Sequence, residues 1–160
     1  MFTRTLEPKI KELFQKFPVV GVLGPRQSGK TTLVKRVFPH LPYVSMEDYG
    51  PKTQALDDPK GFLRSYPDGL IIDEAQQAPD LFSAIQVFVD ENDRNGQIIL
   101  TGSHNFLLAE RISQSLAGRI ALFTLLPLSY QELNDQAPEN SDDYILHGSF
   151  PRVYRYAINP

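Results

Sequence analysis

Gly24-Pro25-Arg26-Gln27-Ser28-Gly29-Lys30-Thr31 fits the pattern G-x-x-x-x-G-K-[ST], and its flanks give the pattern its meaning. The apolar run Val19-Val20-Gly21-Val22-Leu23 precedes it, and an amphipathic segment from Thr31 to Phe38 follows. The stretch therefore reads as strand, phosphate-binding loop and helix. The glycines let the backbone curl around an anion, so that successive N–H groups and the positive end of the helix face it. In that reading Lys30 reaches the β- and γ-phosphates of a nucleotide and the Thr31 hydroxyl ligates Mg²⁺. The alternative is a chance glycine-rich turn, and the complete pattern in this context stands against it.

The 160 residues make about one domain by the usual prior of ~100–200 residues each, enough to bury a core. With no cysteine, the chain has no disulfide framework, thiolate zinc site or cysteine nucleophile. No apolar run approaches the ~20 residues of a membrane span, and the first residues lack a signal-peptide core, so the expectation is a cytoplasmic protein with no membrane partner. Net charge is -3 but unevenly spread. Residues 1–40 carry eight of the sixteen Lys and Arg against only Glu7 and Glu12, a net +6, and the remainder carries -9. The basic part suits a polyanionic nucleotide. Lys9, Lys11 and Lys16 also read as the solvated face of a first helix, in which Leu6, Ile10, Leu13, Phe14 and Phe17 form the apolar face.

Further along, Tyr43 to Met46 reads as a short strand, and residues 49–68 hold two short helices that carry no functional argument. Leu70-Ile71-Ile72-Asp73-Glu74 is a buried strand ending in two acids. Ligands bind at the C-terminal edge of a parallel sheet, so both acids emerge beside the phosphate loop. Asp73 is then the magnesium-side carboxylate and Glu74 the base that polarises the attacking water. A covering helix follows Pro79, and Ile98-Ile99-Leu100 forms another buried strand ending in Thr101-Gly102-Ser103-His104-Asn105. The polar tip either touches the γ-phosphate side or caps the next helix through Ser103 or Asn105. Arg119 opens the strand Ile120 to Leu125. It is either a phosphoryl-stabilising arginine, acting in its own site or a neighbour's, or a strand-edge arginine paired with an acid. Asn134 to Asp143 reads as a polar linker or surface loop, and Tyr144 to Pro160, whose aromatics with Arg152 and Arg155 could meet nucleic acid, reads first as the start of a further domain.

Five segments now stand in one order: Gly-Pro-Arg-Gln-Ser-Gly-Lys-Thr-Thr, Ile-Ile-Asp-Glu-Ala-Gln, Ile-Leu-Thr-Gly-Ser, Ser-Leu-Ala-Gly-Arg and Leu-Pro-Leu-Ser-Tyr-Gln-Glu-Leu. Together, over residues 17–152, they resemble the AAA-type ATPases of AAA domain family 14, in which this domain precedes a C-terminal domain with a nuclease-like fold. The resemblance implies a P-loop NTPase fold: a three-layer α/β/α sandwich on a parallel sheet of about five strands in the order 5-1-4-3-2. It implies a Walker A motif, with Gly24, Pro25, Arg26, Gln27, Ser28, Gly29, Lys30, Thr31 and Thr32 around the nucleotide. It also implies a Walker B motif with Asp73 and catalytic Glu74, a sensor-1 group at Thr101 or Ser103, and Arg119 as an arginine finger or sensor. Where family members carry Gly-Gly-Phe-Pro, this chain has Gly148-Ser149-Phe150-Pro151.

The expectation is thus an ATPase domain over residues 1–133, with residues 134–160 a linker and the start of a C-terminal region. ATP and Mg²⁺ are its cofactors, and hydrolysis drives change in an attached or partner module that engages DNA or protein. A homo-oligomer follows if Arg119 acts on a neighbour. Two alternatives stand beside it. A nucleoside kinase is disfavoured by the acid pair and by the scarcity of arginines in residues 105–127. A nucleotide-gated binding switch would use the same loop with little or no turnover.

Overall fold

The computed structural model describes residues 2–103, 106–138 and 140–156. Five parallel strands form one sheet: β1 (Val19–Gly24), β2 (Tyr43–Ser45), β3 (Leu70–Asp73), β4 (Ile98–Ser103) and β5 (Ile120–Thr124). Their order is β2-β3-β4-β1-β5, the order 5-1-4-3-2 read from the other side. The phosphate-loop strand β1 therefore lies between β4 and β5, in register Val19 to Ile98 and Val19 to Ile120.

Nine helices accompany them among the described residues: α1 (Glu7–Phe14), α2 (Lys30–Val37), α3 (Tyr49–Asp57), α4 (Pro59–Arg64), α5 (Leu81–Asn92), α6 (Phe106–Ser115), α7 (Tyr130–Leu133), α8 (Ser141–His147) and α9 (Pro151–Arg155). None is long and apolar enough to cross a membrane. Side chains alternate along each strand, so a sheet buried on both faces builds two cores. Val19, Leu23, Leu70, Ile72, Ile98 and Leu100 pack with Phe62 and Leu63 of α4 and with Phe82 and Ile85 of α5. Val20, Val22, Ile71 and Ile99 face the other way, against Ile10 of α1 and Leu33, Val34 and Val37 of α2. These two layers of helix on either side of the sheet give the three-layer sandwich.

A short 3₁₀ turn, Asn134–Gln136, leads to α8, and Leu128 N–H donates to Ser149 C=O at 2.7 Å. Pro151, the first residue of α9, then comes to rest against Gly29, 3.8 Å from where a β-carbon there would stand. The C-terminal segment thereby returns to the phosphate loop.

Candidate nucleotide site

The loop between β1 and α2 is shaped by two glycines with different tasks. A β-carbon on Gly24 would lie 2.2 Å from the Leu125 carbonyl oxygen, so only glycine lets the end of β1 pass the exit of β5. Gly29 has φ of 93° and starts α2 from a conformation that side chains rarely adopt. Lys30 folds back across the loop, its Nζ donating to the Gly24 and Pro25 carbonyls at 3.1 and 2.9 Å. Burial pushes the Lys30 ammonium below its ordinary pKa, against Glu74 and Asp73, which hold it up. A cation so placed gains from a polyanion that replaces its carbonyl partners.

Asp73 ends β3 at 5% exposure and accepts three hydroxyls. Thr31 Oγ1 donates to its Oδ2 at 2.9 Å, Tyr43 OH donates to the same oxygen at 2.7 Å, and Thr101 Oγ1 donates to Oδ1. Thr31 comes from the first turn of α2, and the neighbouring strands supply Tyr43 and Thr101 because their register brings Ser45 beside Asp73 and Leu100 beside Ile72. Tyr43 was not singled out by the sequence, where it is one aromatic in a three-residue strand. Its spacing two residues ahead of Ser45, on the same face, is the signal that a strand register makes visible. Burial first, and then Asp73, push the Tyr43 phenol well above its ordinary pKa.

Glu74 follows with φ of 52°, a left-handed conformation in which a non-glycine residue is strained. Its carboxylate accepts from Gln76 Nε2 and lines a cleft of about 740 Å³ shared with Arg26, Lys30 and Thr31. Gln27 in the loop is also left-handed, with φ of 64°. Ser103, at the tip of β4, pairs in register with Gly24. Its Oγ and that of Ser28 are buried without a hydrogen-bond partner, so both can accept or donate to a bound group. Thr32 lines the same cleft from the first turn of α2. His104 and Asn105 lie outside the described residues.

Arg119 is not brought to this site. It precedes β5, and its carbonyl accepts from Val19 N–H at the opposite edge of the sheet from the loop. The five residues of β5, at ~3.3 Å each, put it about 16 Å from the loop's end. Its guanidinium is engaged with Asp90 of α5, Nε to Oδ1 at 2.6 Å and Nη2 to Oδ2 at 2.8 Å. The direction of the strand thus sets Arg119 apart from the loop of its own chain. Besides Arg26 of the loop itself, Arg152 and Arg155 of α9 line the cleft.

A second cavity, of about 390 Å³, opens on the other side of Gly29 and Thr32. Phe2 and Tyr154 bound it, their rings edge to face with centroids 6.4 Å apart, and Arg155 and Pro151 line both cavities. A polar cleft at the loop thus adjoins a cavity walled by two aromatic rings, with Gly29, Thr32, Pro151 and Arg155 lining both.

Residues 16–134 match the family model described as the AAA domain, AAA_14. The chain belongs to that family. Two uncharacterized proteins, Mb2031c of Mycobacterium bovis and Rv2008c of Mycobacterium tuberculosis, are each 33% identical to it over 157 residues. The match takes in 98% of this chain and 35% of each relative, so the chain spans about a third of the length of these curated relatives. Among solved structures it is similar to the Walker-type ATPase PABY2304 of Pyrococcus abyssi, with a TM-score of 0.65 at 20% identity over 96% of this chain and 65% of that one. It is also similar to AMPPCP-bound DnaA of Aquifex aeolicus, with a TM-score of 0.58 at 15% identity over 93% of this chain and 57% of that one. At such identities the likeness concerns the fold, and that fold is the P-loop NTPase fold read from the sequence.

Proposed function

We propose that this AAA domain binds MgATP and hydrolyses it, and that the cycle drives a conformational change in an attached or partner module. The observation that carries the proposal is the meeting of Lys30, Thr31 and Glu74 at one cleft, with Asp73 hydrogen-bonded to Thr31 behind it. In this reading the triphosphate lies along the loop from Gly24 to Thr32, with Pro25, Arg26, Gln27 and Ser28 forming its rim. The base enters the cavity of Phe2 and Tyr154.

The residues fit magnesium. Thr31 Oγ1 and Asp73 offer hard oxygen donors, and Mg²⁺ in nucleotide sites takes only one or two protein ligands beside phosphates and water. Held by Thr31 and Asp73, the ion would supply positive charge against the phosphates. Lys30 adds a fixed positive charge on the same side. Glu74 takes the proton of a water whose oxygen attacks the γ-phosphorus, while the bond to the β–γ bridging oxygen breaks and ADP keeps that oxygen. Ser103 orients the water or the γ-phosphate from the tip of β4. Arg152 stabilises the transferring phosphoryl group within the same chain, and Arg119 is left for a neighbouring copy. The work is done in the cytoplasm, where MgATP is supplied, and the module driven, acting on DNA or protein, is sought in the part of the relatives that this chain does not span.

Phosphate release and MgATP binding measured side by side on the wild type and Glu74→Gln test the reading. The expected result is turnover by the wild type, and loss of turnover with binding retained in the variant. A wild type that binds MgATP without turnover, with Glu74→Gln indistinguishable from it, would instead make the domain a nucleotide-gated switch.

A further inference from the structure

Arg4 lies before α1, well ahead of the phosphate loop in sequence, and lines the cavity of Phe2 and Tyr154; it is 6% exposed and its partner Glu132 5%. The guanidinium spans three segments. Nη1 donates to the Ser28 carbonyl in the phosphate loop at 2.8 Å. Nη2 donates to the Leu126 and Pro127 carbonyls beyond β5 at 2.6 and 3.2 Å. Nε stands 3.1 Å from Glu132 Oε2 as an ion pair without hydrogen-bond alignment. Glu132 is itself fixed, accepting from Thr5 N–H at 2.8 Å, Thr5 Oγ1 at 3.0 Å and Ser129 N–H at 3.0 Å.

We propose that Arg4, anchored by Glu132, is a positioning residue that holds the phosphate loop in its anion-receiving shape and couples that shape to the C-terminal segment. In a planar trans peptide the C=O and N–H point in opposite directions. By drawing the Ser28 carbonyl outward, Arg4 turns the Gly29 N–H of the same peptide toward the inside of the loop. The contact is close, since Arg4 Nη1 lies 3.7 Å from where a β-carbon on Gly29 would stand. The other arm of the fork reaches the turn whose Leu128 N–H donates to Ser149 C=O and whose Leu128 carbonyl accepts from Tyr144 OH at 3.0 Å. Arg152 of α9 stands three residues beyond Ser149. A shift of the loop on taking up phosphate is therefore passed through one side chain to the segment that brings Arg152 and Arg155 to the cleft. Lysine cannot substitute, because a point charge cannot serve three carbonyls in a fork.

The coupling to nucleotide rests on the function proposed above, whereas the ordering of the loop does not, and the experiment separates them. Removing one partner leaves a buried charge unpaired, which destabilises any fold. The variants are therefore Arg4→Lys, which keeps the charge, and the double change Arg4→Met with Glu132→Met, which removes both charges. Amide hydrogen exchange of residues 26–30 is measured without nucleotide, MgATP affinity by titration, and melting temperature in parallel. The proposal expects the double variant to melt within a few degrees of the wild type. In both variants the loop amides exchange at least tenfold faster and, where the wild type binds MgATP, affinity falls at least tenfold. It is overturned if loop exchange stays within twofold of the wild type in a folded variant, or if exchange quickens evenly over the whole chain. A wild type that binds no MgATP overturns the coupling to nucleotide and the proposed function together, and leaves the exchange result to decide the role of Arg4 in the loop.

Discussion

Thr31 and Asp73, 42 residues apart, share a hydrogen bond of 2.9 Å that joins the loop end of α2 to the last residue of β3. Both are oxygen donors that a hard cation would take over, and the Asp73 carboxylate is already oriented by Tyr43 and Thr101. Asp73→Asn is expected to weaken MgATP binding at least tenfold while leaving binding of ATP in the presence of a chelator within twofold. Calorimetric titration with and without magnesium checks this. Equal losses in both conditions would place Asp73 in the fold and not at the metal.

Tyr43 gives the pH dependence. Burial, and then Asp73, raise its folded-state pKa above the unfolded value of about 10. The stability it contributes is complete below pH ~10 and is lost as pH rises from there toward the folded value. Melting temperature should therefore fall more steeply between pH 10 and 12 in the wild type than in Tyr43→Phe. At neutral pH the variant should lose about 1 kcal/mol, the net worth of a typical hydrogen bond. Parallel melting curves across that range decide it.

Arg119 and Arg152 are predicted to part company. Arg119→Ala leaves ATP turnover of the dilute, monomeric chain within twofold, because the residue is paired with Asp90 at the far edge of the sheet. Arg152→Ala lowers turnover on the order of 100-fold, the scale seen when one preorganised charge-stabilising donor is removed. Steady-state phosphate release on both variants is the check, and a collapse of the dilute Arg119→Ala enzyme would contradict a position for Arg119 outside its own site.

The aromatic cavity predicts a separation between base and phosphate. Phe2→Ala removes one wall of it and is expected to weaken MgATP about tenfold while leaving inorganic tripolyphosphate binding unchanged. Competition titrations with the two ligands measure this. Equal weakening of both would move the base elsewhere.

Much of this site was legible because its parts are local. A phosphate loop is a run of eight residues, and an acid at the end of an apolar run in a parallel sheet must emerge at the ligand edge. The same rule speaks against Arg119 in its own site, since a residue that opens a strand stands at the wrong edge. Its nearness in sequence to the family's glycine and serine concealed that. Tyr43, Arg4 and Arg152 were not legible, because each depends on a distant partner. Tyr43 needs the β2–β3 register, Arg4 needs Ser28 and Leu126, which lie 24 and 122 residues away, and Arg152 needs α9 to fold back onto Gly29. Within residues 134–160, read as a linker and the start of something further, Ser141–His147 and Pro151–Arg155 are short helices, and the return of the second to the loop was hidden for the same reason.

The central claim is that this domain holds MgATP at the loop of Lys30. The most direct measurement is its melting temperature with and without MgATP, beside Lys30→Ala. Ligand at 100 times its dissociation constant stabilises a folded protein by ~2.7 kcal/mol, worth roughly 5–10 °C for a domain of this size. That shift is expected in the wild type and none in Lys30→Ala. No shift in either, or an equal shift in both, would contradict the claim.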